Sequence, residues 1–245
     1  MLKQKLKNIL LIPPFEILEK YKTSKLRKRA NNQISNYLKQ YQVKKLQIGS
    51  GGTILEGWLN TDLFLENDKI VFLDAGNLFP IPNDSFDFIY SEHLFEHLTF
   101  EQQLNYLHES YRILKPGGKI RIATPNFDFL IALTNKNRNE TQHKYVIWNY
   151  NHFLPKMSKV YNDEPNKEVY VINNYFKAWG HQLIHNIPSL TNLILHVGFK
   201  NVTSFDVSKS TDKSLENLEH HMSQLGVEFN ILETMILEAT KEEFR

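Results

Sequence analysis

The chain has 245 residues, 29 Lys and Arg against 27 Asp and Glu, and a hydrophobic fraction of 41%. These values are typical of a globular protein with enough apolar material for one large α/β domain. The chain has no cysteine, which excludes disulfides, thiolate zinc sites and cysteine nucleophiles and agrees with a reducing compartment, so we expect a cytoplasmic location. No apolar run approaches the roughly 20 residues that span a bilayer, and no signal peptide is recognisable.

The positive charge is concentrated at the N-terminus. Residues 1–45 carry twelve Lys and Arg against two Glu, although the net charge of the chain is only +2. Such a segment can face the phosphates of nucleic acid or anionic lipid. The cluster Lys25–Arg29 lacks interleaved aromatic residues, however, which favours a solvated helical face. Contact with nucleic acid or peripheral contact with a membrane is therefore left open but not favoured, and the sequence does not indicate an oligomeric state.

Two helices are predicted at the N-terminus, over residues 1–12 and 15–41, separated by Pro13 and Pro14, where a helix must break. Apolar residues recur every three to five positions along the second helix, as in an amphipathic helix laid against a core. We therefore expect a helical cover over residues 1–42, followed by one α/β domain over residues 43–245.

From residue 43 onward the hydrophobic pattern predicts strands. They are expected at residues 43–48, 58–62, 70–74, 86–91 and 119–124, with a helix over residues 100–114 before the fifth strand. This alternation implies a parallel sheet that binds ligands at the carboxyl ends of its strands. The link between the first two strands is shorter than the dozen residues that a helical crossover usually takes. Either the first crossover is abbreviated or the second strand is misplaced.

The rest of the chain is less regular. Residues 125–197 are rich in aromatic residues and histidine and are expected to form a capping insert, with helices around 139–150 and 186–197. A sixth strand is predicted at 198–207, a helix or long loop at 215–225 and a last strand within 229–240. The predicted fold is thus a doubly wound, mostly parallel, Rossmann-like α/β sheet with N-terminal helices and a capping insert after the fifth strand.

Several motifs follow one another along residues 45–125. They are Gly49-x-Gly51, Asp62, Asp74-Ala75, the block Phe79-Pro-Ile-Pro-Asn-Asp-Ser-Phe-Asp87, the run Ser91-Glu-His-Leu-Phe-Glu-His-Leu98 and the run Tyr111-Arg-Ile-Leu-Lys-Pro-Gly-Gly118. This series resembles the class I S-adenosylmethionine-dependent methyltransferases, in particular the type 11 group of small-molecule enzymes. A thinner likeness, over residues 175–181, is to members linked to surface-glycan pathways.

The resemblance implies S-adenosylmethionine as cofactor, with the glycine loop under its methionine and ribose, Asp62 at the ribose hydroxyls and Asp74 at the adenine. The cofactor-binding residues it implies are Gly49, Ser50, Gly51, Asp62, Leu63, Asp74, Ala75, Ser91 and Glu92. Two positions depart from the family pattern: Gln47 replaces the usual acid, and Thr53 replaces a glycine. Weaker cofactor binding is one expected consequence.

Transfer of a methyl group to a hydroxyl or a protonated amine also needs a general base, and histidine has a suitable pKa. The candidate histidines are His93, His97, His152, His181 and His185. We assign His93, His97 and His181 as catalytic and expect Trp179 to stack on a sugar or ring.

The run from His93 to His97 also spells H-x-x-E-H, a zinc-protease pattern. In that family the residues lie inside a long helix, whereas here a predicted strand leads directly into them. We therefore expect no metal site.

The predicted function is methylation of a small-molecule or sugar-type acceptor. The alternatives are an RNA methyltransferase that uses the basic segment, a non-catalytic cofactor-binding or scaffold protein and, remotely, a metal-dependent hydrolase through His93, Glu96 and His97.

Overall fold

The structure is a computed structural model that describes residues 14–64, 67–220 and 226–242. Its helices are α1 (Pro14–Gln40), α2 (Phe100–Ile113), α3 (Phe127–Ala132), α4 (Glu140–Phe153), α5 (Pro155–Val160), α6 (Lys167–Lys177), α7 (Ile187–Val197) and α8 (Val227–Glu233), with a 3₁₀ turn at Phe95–His97. Its strands are β1 (Lys45–Ile48), β2 (Leu59–Asp62), β3 (Val71–Phe72), β4 (Phe86–Glu92), β5 (Leu114–Pro125), β6 (Lys200–Phe205) and β7 (Thr234–Thr240). The helix predicted over residues 1–12 and the end of the segment predicted over 215–225 lie outside the described residues.

These strands form one sheet in the order β3-β2-β1-β4-β5-β7-β6. Strands β1 to β5 pair in parallel, and β7 runs antiparallel between β5 and β6. The order reverses direction at β1, so the carboxyl ends of β1 and β4 border a switch point of the sheet, where open α/β folds bind ligands. The predicted doubly wound, mostly parallel sheet is confirmed.

The first crossover is abbreviated, and the predicted second strand is in place. Residues 49–58 connect β1 to β2 without a helix. The Tyr37 hydroxyl of α1 lies 2.9 Å from the carbonyl oxygens of both Lys45 and Gly57 and also accepts a hydrogen bond from Lys45 N. Helix α1 is thereby fixed to the start of β1 and to the short link.

Three predicted elements differ in extent. The third strand contracts to Val71–Phe72, and the fifth begins at Leu114, five residues before its predicted start. The segment predicted as one strand within 229–240 is helix α8 followed by β7. The length of each strand depends on the neighbouring strand with which it pairs, and the local sequence does not indicate that neighbour.

The main core lies between the sheet and helices α1, α2 and α7. Helix α2 begins at a capping box formed by Thr99 and Gln102, and α7 begins at a second one formed by Asn186 and Ser189. These boxes satisfy backbone N–H groups that a helix start leaves unpaired.

Helices α3 to α6 build a second apolar cluster between β5 and α7. Its buried members include Phe129, Leu130, Tyr145, Tyr150 and Val171. Arg138 bridges to Glu168 of α6 at 3.0 Å. This part of the chain therefore has its own packed interior, and residues from α4, α6 and the loop after α6 face the carboxyl ends of β1 and β4.

A buried ion network joins the segment after β6 to the sheet. Arg121 of β5 is fully buried and donates to Glu219 at 2.7 Å and to Glu238 of β7 at 2.6 Å. A third contact reaches the carbonyl oxygen of Lys209 at 2.8 Å. Among the described residues, no helix is both long enough and apolar enough to cross a membrane.

Candidate functional site

The glycine loop leaves β1 at the sheet edge and turns sharply. Gly49 and Gly51 have φ angles of +72° and +51°, a left-handed conformation that favours glycine. The loop is held against β2 by backbone hydrogen bonds, because Gly49 N and Ser50 N donate to the Thr61 carbonyl oxygen at 2.9 and 3.0 Å. Gly51 N donates to Asp62 Oδ2 at 2.8 Å. Asp62 therefore holds the loop in shape, and its other oxygen accepts a hydrogen bond from Phe64 N at 2.8 Å.

Gln47 lies directly beneath this loop and is 2% exposed. Its Oε1 atom accepts no hydrogen bond from any of the described residues. A buried amide oxygen without a donor is costly, which makes an absent ligand the natural partner. The glycine loop and this oxygen fit the amino-acid end of S-adenosylmethionine, because its ammonium group is a hydrogen-bond donor.

One cavity of about 480 Å³ extends from the glycine loop to the helices that follow β5. Its floor is formed by Gln47, the loop 49–53 and the segment between β4 and α2. Its opposite wall carries Trp148, Asn149, His152, Phe153, Tyr175, Trp179 and His181. The volume is within the range of small-ligand pockets.

At the end of β4, His93 lies within a buried polar network. Its Nδ1 is 3.0 Å from Glu96 Oε1, and its Nε2 is 3.3 Å from Thr234 Oγ1. Glu96 is fully buried, and Thr124 donates to its second oxygen at 3.0 Å. Burial lowers the pKa of His93, but the hydrogen bond and charge of Glu96 outweigh burial and raise it to about 9. His93 is therefore protonated at neutral pH and is a poor general base there.

His97 and His181 meet at the cavity edge, with ring centroids 4.9 Å apart. The Nδ1 atom of His181 lies 2.7 Å from the Tyr175 carbonyl oxygen, which can only accept a hydrogen bond. The proton of the neutral ring is therefore on Nδ1, and Nε2 carries the lone pair. Burial lowers the pKa of His181. This histidine is thus neutral at physiological pH.

His181 is presented by an unusual backbone turn. Trp179 and Gly180 have φ angles of +57° and +80°. A left-handed conformation is rare for a bulky residue such as Trp and is found chiefly where the surrounding structure enforces it. The chain directly after this turn is held by two backbone hydrogen bonds. Gln182 N and Leu183 N both donate to the Glu96 carbonyl oxygen, at 2.8 and 3.3 Å.

The wall opposite the glycine loop is aromatic. Trp148 stacks on His152 with their rings 10° from parallel, and Trp179 contacts Phe153 and Tyr175 edge-on. Behind them the Tyr145 hydroxyl donates to Glu233, and Tyr175 also bonds to this carboxyl. Burial raises the pKa of Glu233.

Only some of the predicted site residues line the cavity. Those that do are Gly49, Ser50, Gly51, Glu92, His93, His97 and His181. Asp62 and Leu63 lie behind the loop, and Leu63 is 47% exposed. Ser91 is fully buried and accepts a hydrogen bond from the Tyr106 hydroxyl at 2.9 Å, so it faces the core.

Asp74 lines a different, smaller hollow of about 310 Å³ beside α1. Its carboxylate accepts hydrogen bonds from Gly76 N at 3.0 Å and from the Asn77 side chain at 2.7 Å. Ala75 is 8% exposed. The expected adenine contacts therefore remain a proposal.

Two further candidate histidines have different surroundings. His152 lines the cavity, whereas His185 bonds to Ser189 at 3.0 Å and to Gln103 at 2.9 Å, away from it. Sequence reasoning missed Trp148, Phe153 and Glu233 as cavity residues. Trp148 could have been found, because it lies four positions before His152 on a helix and so shares its face.

Comparison with known proteins is consistent with this geometry. Residues 59–122 match a family model described as a methyltransferase domain, of the type 11 group. No curated protein matches the chain.

Among solved structures, an S-adenosylmethionine-dependent methyltransferase from Archaeoglobus fulgidus is 17% identical, with a TM-score of 0.48, over 88% of this chain and 94% of that one. One from Mesorhizobium loti is 14% identical, with a TM-score of 0.45, over 81% and 90%. A possible histamine N-methyltransferase from Thermotoga maritima is 14% identical, with a TM-score of 0.43, over 92% and 96%.

Proposed function

We propose that this chain is a class I S-adenosylmethionine-dependent methyltransferase that methylates a hydroxyl group of a small, sugar-type acceptor bound between the glycine loop and the aromatic wall. The observation that carries the proposal is that the glycine loop and the aromatic wall line the same cavity. A cofactor held by the loop and an acceptor held by the wall would face each other inside it.

Each surface has a chemical role in this proposal. When bound, S-adenosylmethionine would supply an electrophilic methyl group on a sulfonium, which suits in-line transfer to an acceptor oxygen with S-adenosylhomocysteine as the leaving group. Gln47 Oε1 and the backbone of the loop 49–53 would hold the amino-acid end of the cofactor. The acceptor exchanges its O–H bond for an O–CH₃ bond, and the proton is released to water.

The aromatic wall fits a ring-shaped acceptor. Trp179 is 45% exposed and offers a face on which a sugar could stack. Trp148 and Phe153 add apolar surface beside it. Water is excluded from the space between wall and loop when an acceptor fills it, which favours alignment of the two reactants.

The histidines would orient the acceptor hydroxyl. His97 and His181 border the cavity, and the Nε2 lone pair of His181 can accept a hydrogen bond from it. His93 is proposed as a positioning residue, because its two ring nitrogens already contact Glu96 and Thr234. Asp62 is proposed to act on the cofactor by shaping the loop. A cytoplasmic location remains a prediction from the cysteine-free composition.

A transfer assay with radiolabelled S-adenosylmethionine tests the proposal. We expect label in a panel of hydroxylated sugars and small glycosides, and a KM for the acceptor at least tenfold higher in Trp179→Ala with little change in cofactor affinity. Leu195→Ala, at an exposed position on α7, is the matched control. Label that enters RNA and no small molecule, with transfer that weakens steeply as salt rises, would replace this proposal with the RNA alternative.

A further inference from the structure

We infer that Glu96, His97 and His181 form a binding site for a divalent transition-metal ion at the edge of the cavity. One ligand atom from each of these residues lies within 4.8 Å of the other two. Two imidazoles and one carboxylate are a ligand set that holds zinc in catalytic sites and leaves a position open.

The three side chains come from distant parts of the chain. Glu96 and His97 belong to the 3₁₀ turn after β4, and His181 follows α6. The backbone bonds from Gln182 and Leu183 to the Glu96 carbonyl oxygen fix one segment against the other. The arrangement of the three ligand residues is therefore preformed by main-chain contacts and does not depend on flexible side chains alone.

The groups around the ligands have the arrangement expected of an outer shell. A metal-bound histidine usually donates its second ring N–H to a carbonyl or carboxylate, which orients the ring. His181 makes this contact to the Tyr175 carbonyl oxygen at 2.7 Å, and its Nε2 is left with the lone pair. Ligand carboxylates are in turn hydrogen-bonded, and Glu96 is contacted by His93 and Thr124, each at 3.0 Å.

His97 has no partner that competes with a metal. Within residues 14–64, 67–220 and 226–242 its ring nitrogens make no hydrogen bond, and its ring packs against His181. Gly180 lies close to the same ring, because a Cβ atom there would be in van der Waals contact with His97 Nδ1 at 3.8 Å.

To bind an ion, the three ligand atoms must move slightly closer together. Ligand atoms about 2.1 Å from a tetrahedral ion lie ~3.5 Å apart, so the three side chains would approach one another by ~1 Å. Rotation of the two imidazole rings can provide this movement. The pattern differs from H-x-x-E-H zinc proteases, because His93 contacts Glu96 and His181 replaces it as the second imidazole. It also departs from the expectation of no metal site.

The role of the ion rests on the proposed function, whereas its binding does not. An ion at this corner borders the cavity, and its open position would take the acceptor oxygen. A hydroxyl bound to a divalent ion loses its proton to water more readily. The two histidines then act as ligands, and no protein base is required.

The test begins with chelator-treated full-length protein, titrated calorimetrically with ZnCl₂ and checked by metal analysis and by the visible spectrum with CoCl₂. We expect one ion per chain. Outer-shell substitutions cost 10–100-fold in affinity, so loss of a ligand in His97→Ala or His181→Ala should cost at least ~100-fold. His152→Ala removes a histidine of the same cavity from outside the cluster and should bind Zn²⁺ normally.

Both ligand variants replace partly exposed side chains, and thermal unfolding verifies that they fold. Absence of stoichiometric Zn²⁺ binding, or equal affinity in all variants, would overturn the site. A parallel titration with S-adenosylmethionine separates the two proposals. Cofactor binding and full methyl transfer without metal would overturn the role of the ion in transfer and leave the site to the Zn²⁺ titration, and Zn²⁺ binding without cofactor binding would uphold the site while overturning the methyltransferase proposal.

Discussion

Asp62 acts through the glycine loop. Its carboxylate accepts hydrogen bonds from Gly51 N and Phe64 N, both at 2.8 Å. It lies behind the loop, so its influence on a cofactor depends on keeping Gly51 in the left-handed conformation. The acid was predicted from the sequence as a ribose contact, and the structure adds a positioning role for it.

Replacement of Asp62 by Ala is therefore expected to weaken binding of S-adenosylmethionine at least tenfold, about 1.4 kcal/mol, because the loop loses its anchor. Asp62→Asn is the matched variant, since its amide oxygen can still accept from Gly51 N, and we expect a smaller loss. Calorimetric titration measures both. Affinity unchanged in Asp62→Ala would contradict the anchoring role.

The histidines show what a sequence can reveal about a site. The residue types at positions 93, 97 and 181 indicated proton chemistry. All three histidines line the cavity, and His97 and His181 lie beside each other. Their relative placement could not be predicted, because it depends on how the segment after α6 is pinned to the Glu96 backbone. In H-x-x-E-H zinc proteases the two histidines of the motif pair on a long helix, whereas here His97 contacts His181, since β4 ends at Glu92 and only a 3₁₀ turn follows.

At the scale of elements, the segment after β6 is held to the sheet by charge. Arg121 of β5 bonds to Glu219 and Glu238, and Glu219 also accepts from Ser208 N at 2.8 Å. An arginine inside a central strand looks like a surface position in an alternating pattern. This network could not be predicted from the sequence, because the partners of Arg121 come from two separate segments.

Arg121→Ala is expected to destabilise the protein by about 3–5 kcal/mol, because it leaves two carboxylates buried without their partner. Urea unfolding followed by circular dichroism measures the change. Lys144→Ala removes an exposed ion pair to Glu140 and serves as control, with the free energy of unfolding expected to stay nearly unchanged. Equal, small effects of the two substitutions would contradict the assignment of Arg121 as a tether.

The Tyr37 hydroxyl adds hydrogen bonds to the apolar packing that holds helix α1 against the sheet. Tyr37→Phe keeps the aromatic packing but leaves Lys45 N without its acceptor, and we expect a loss of about 1–3 kcal/mol in the free energy of unfolding. Tyr41, which stacks on Tyr37, offers the control Tyr41→Phe, expected near zero. The same urea titration compares them, and a neutral Tyr37→Phe would show that α1 is held by apolar packing alone.

For the whole molecule, hydrophobic periodicity was sufficient to predict the parallel half of the sheet. Strands β1, β2 and β4 appear close to their predicted bounds. Helices α3, α5, α6 and α8 were not predicted. They are short, and their stability comes from the apolar cluster they share with α4 rather than from local sequence. The domain bounds at residues 42 and 43 and the insert over 125–197 remain predictions.

The central claim is that the glycine loop and the orphaned Gln47 oxygen bind S-adenosylmethionine. Calorimetric titration of the full chain with S-adenosylmethionine and, separately, S-adenosylhomocysteine tests it most directly. We expect micromolar binding of both at one site per chain, lost or much weakened in Asp62→Ala. Absence of binding to either compound would contradict the claim and leave the sheet as a fold without this cofactor.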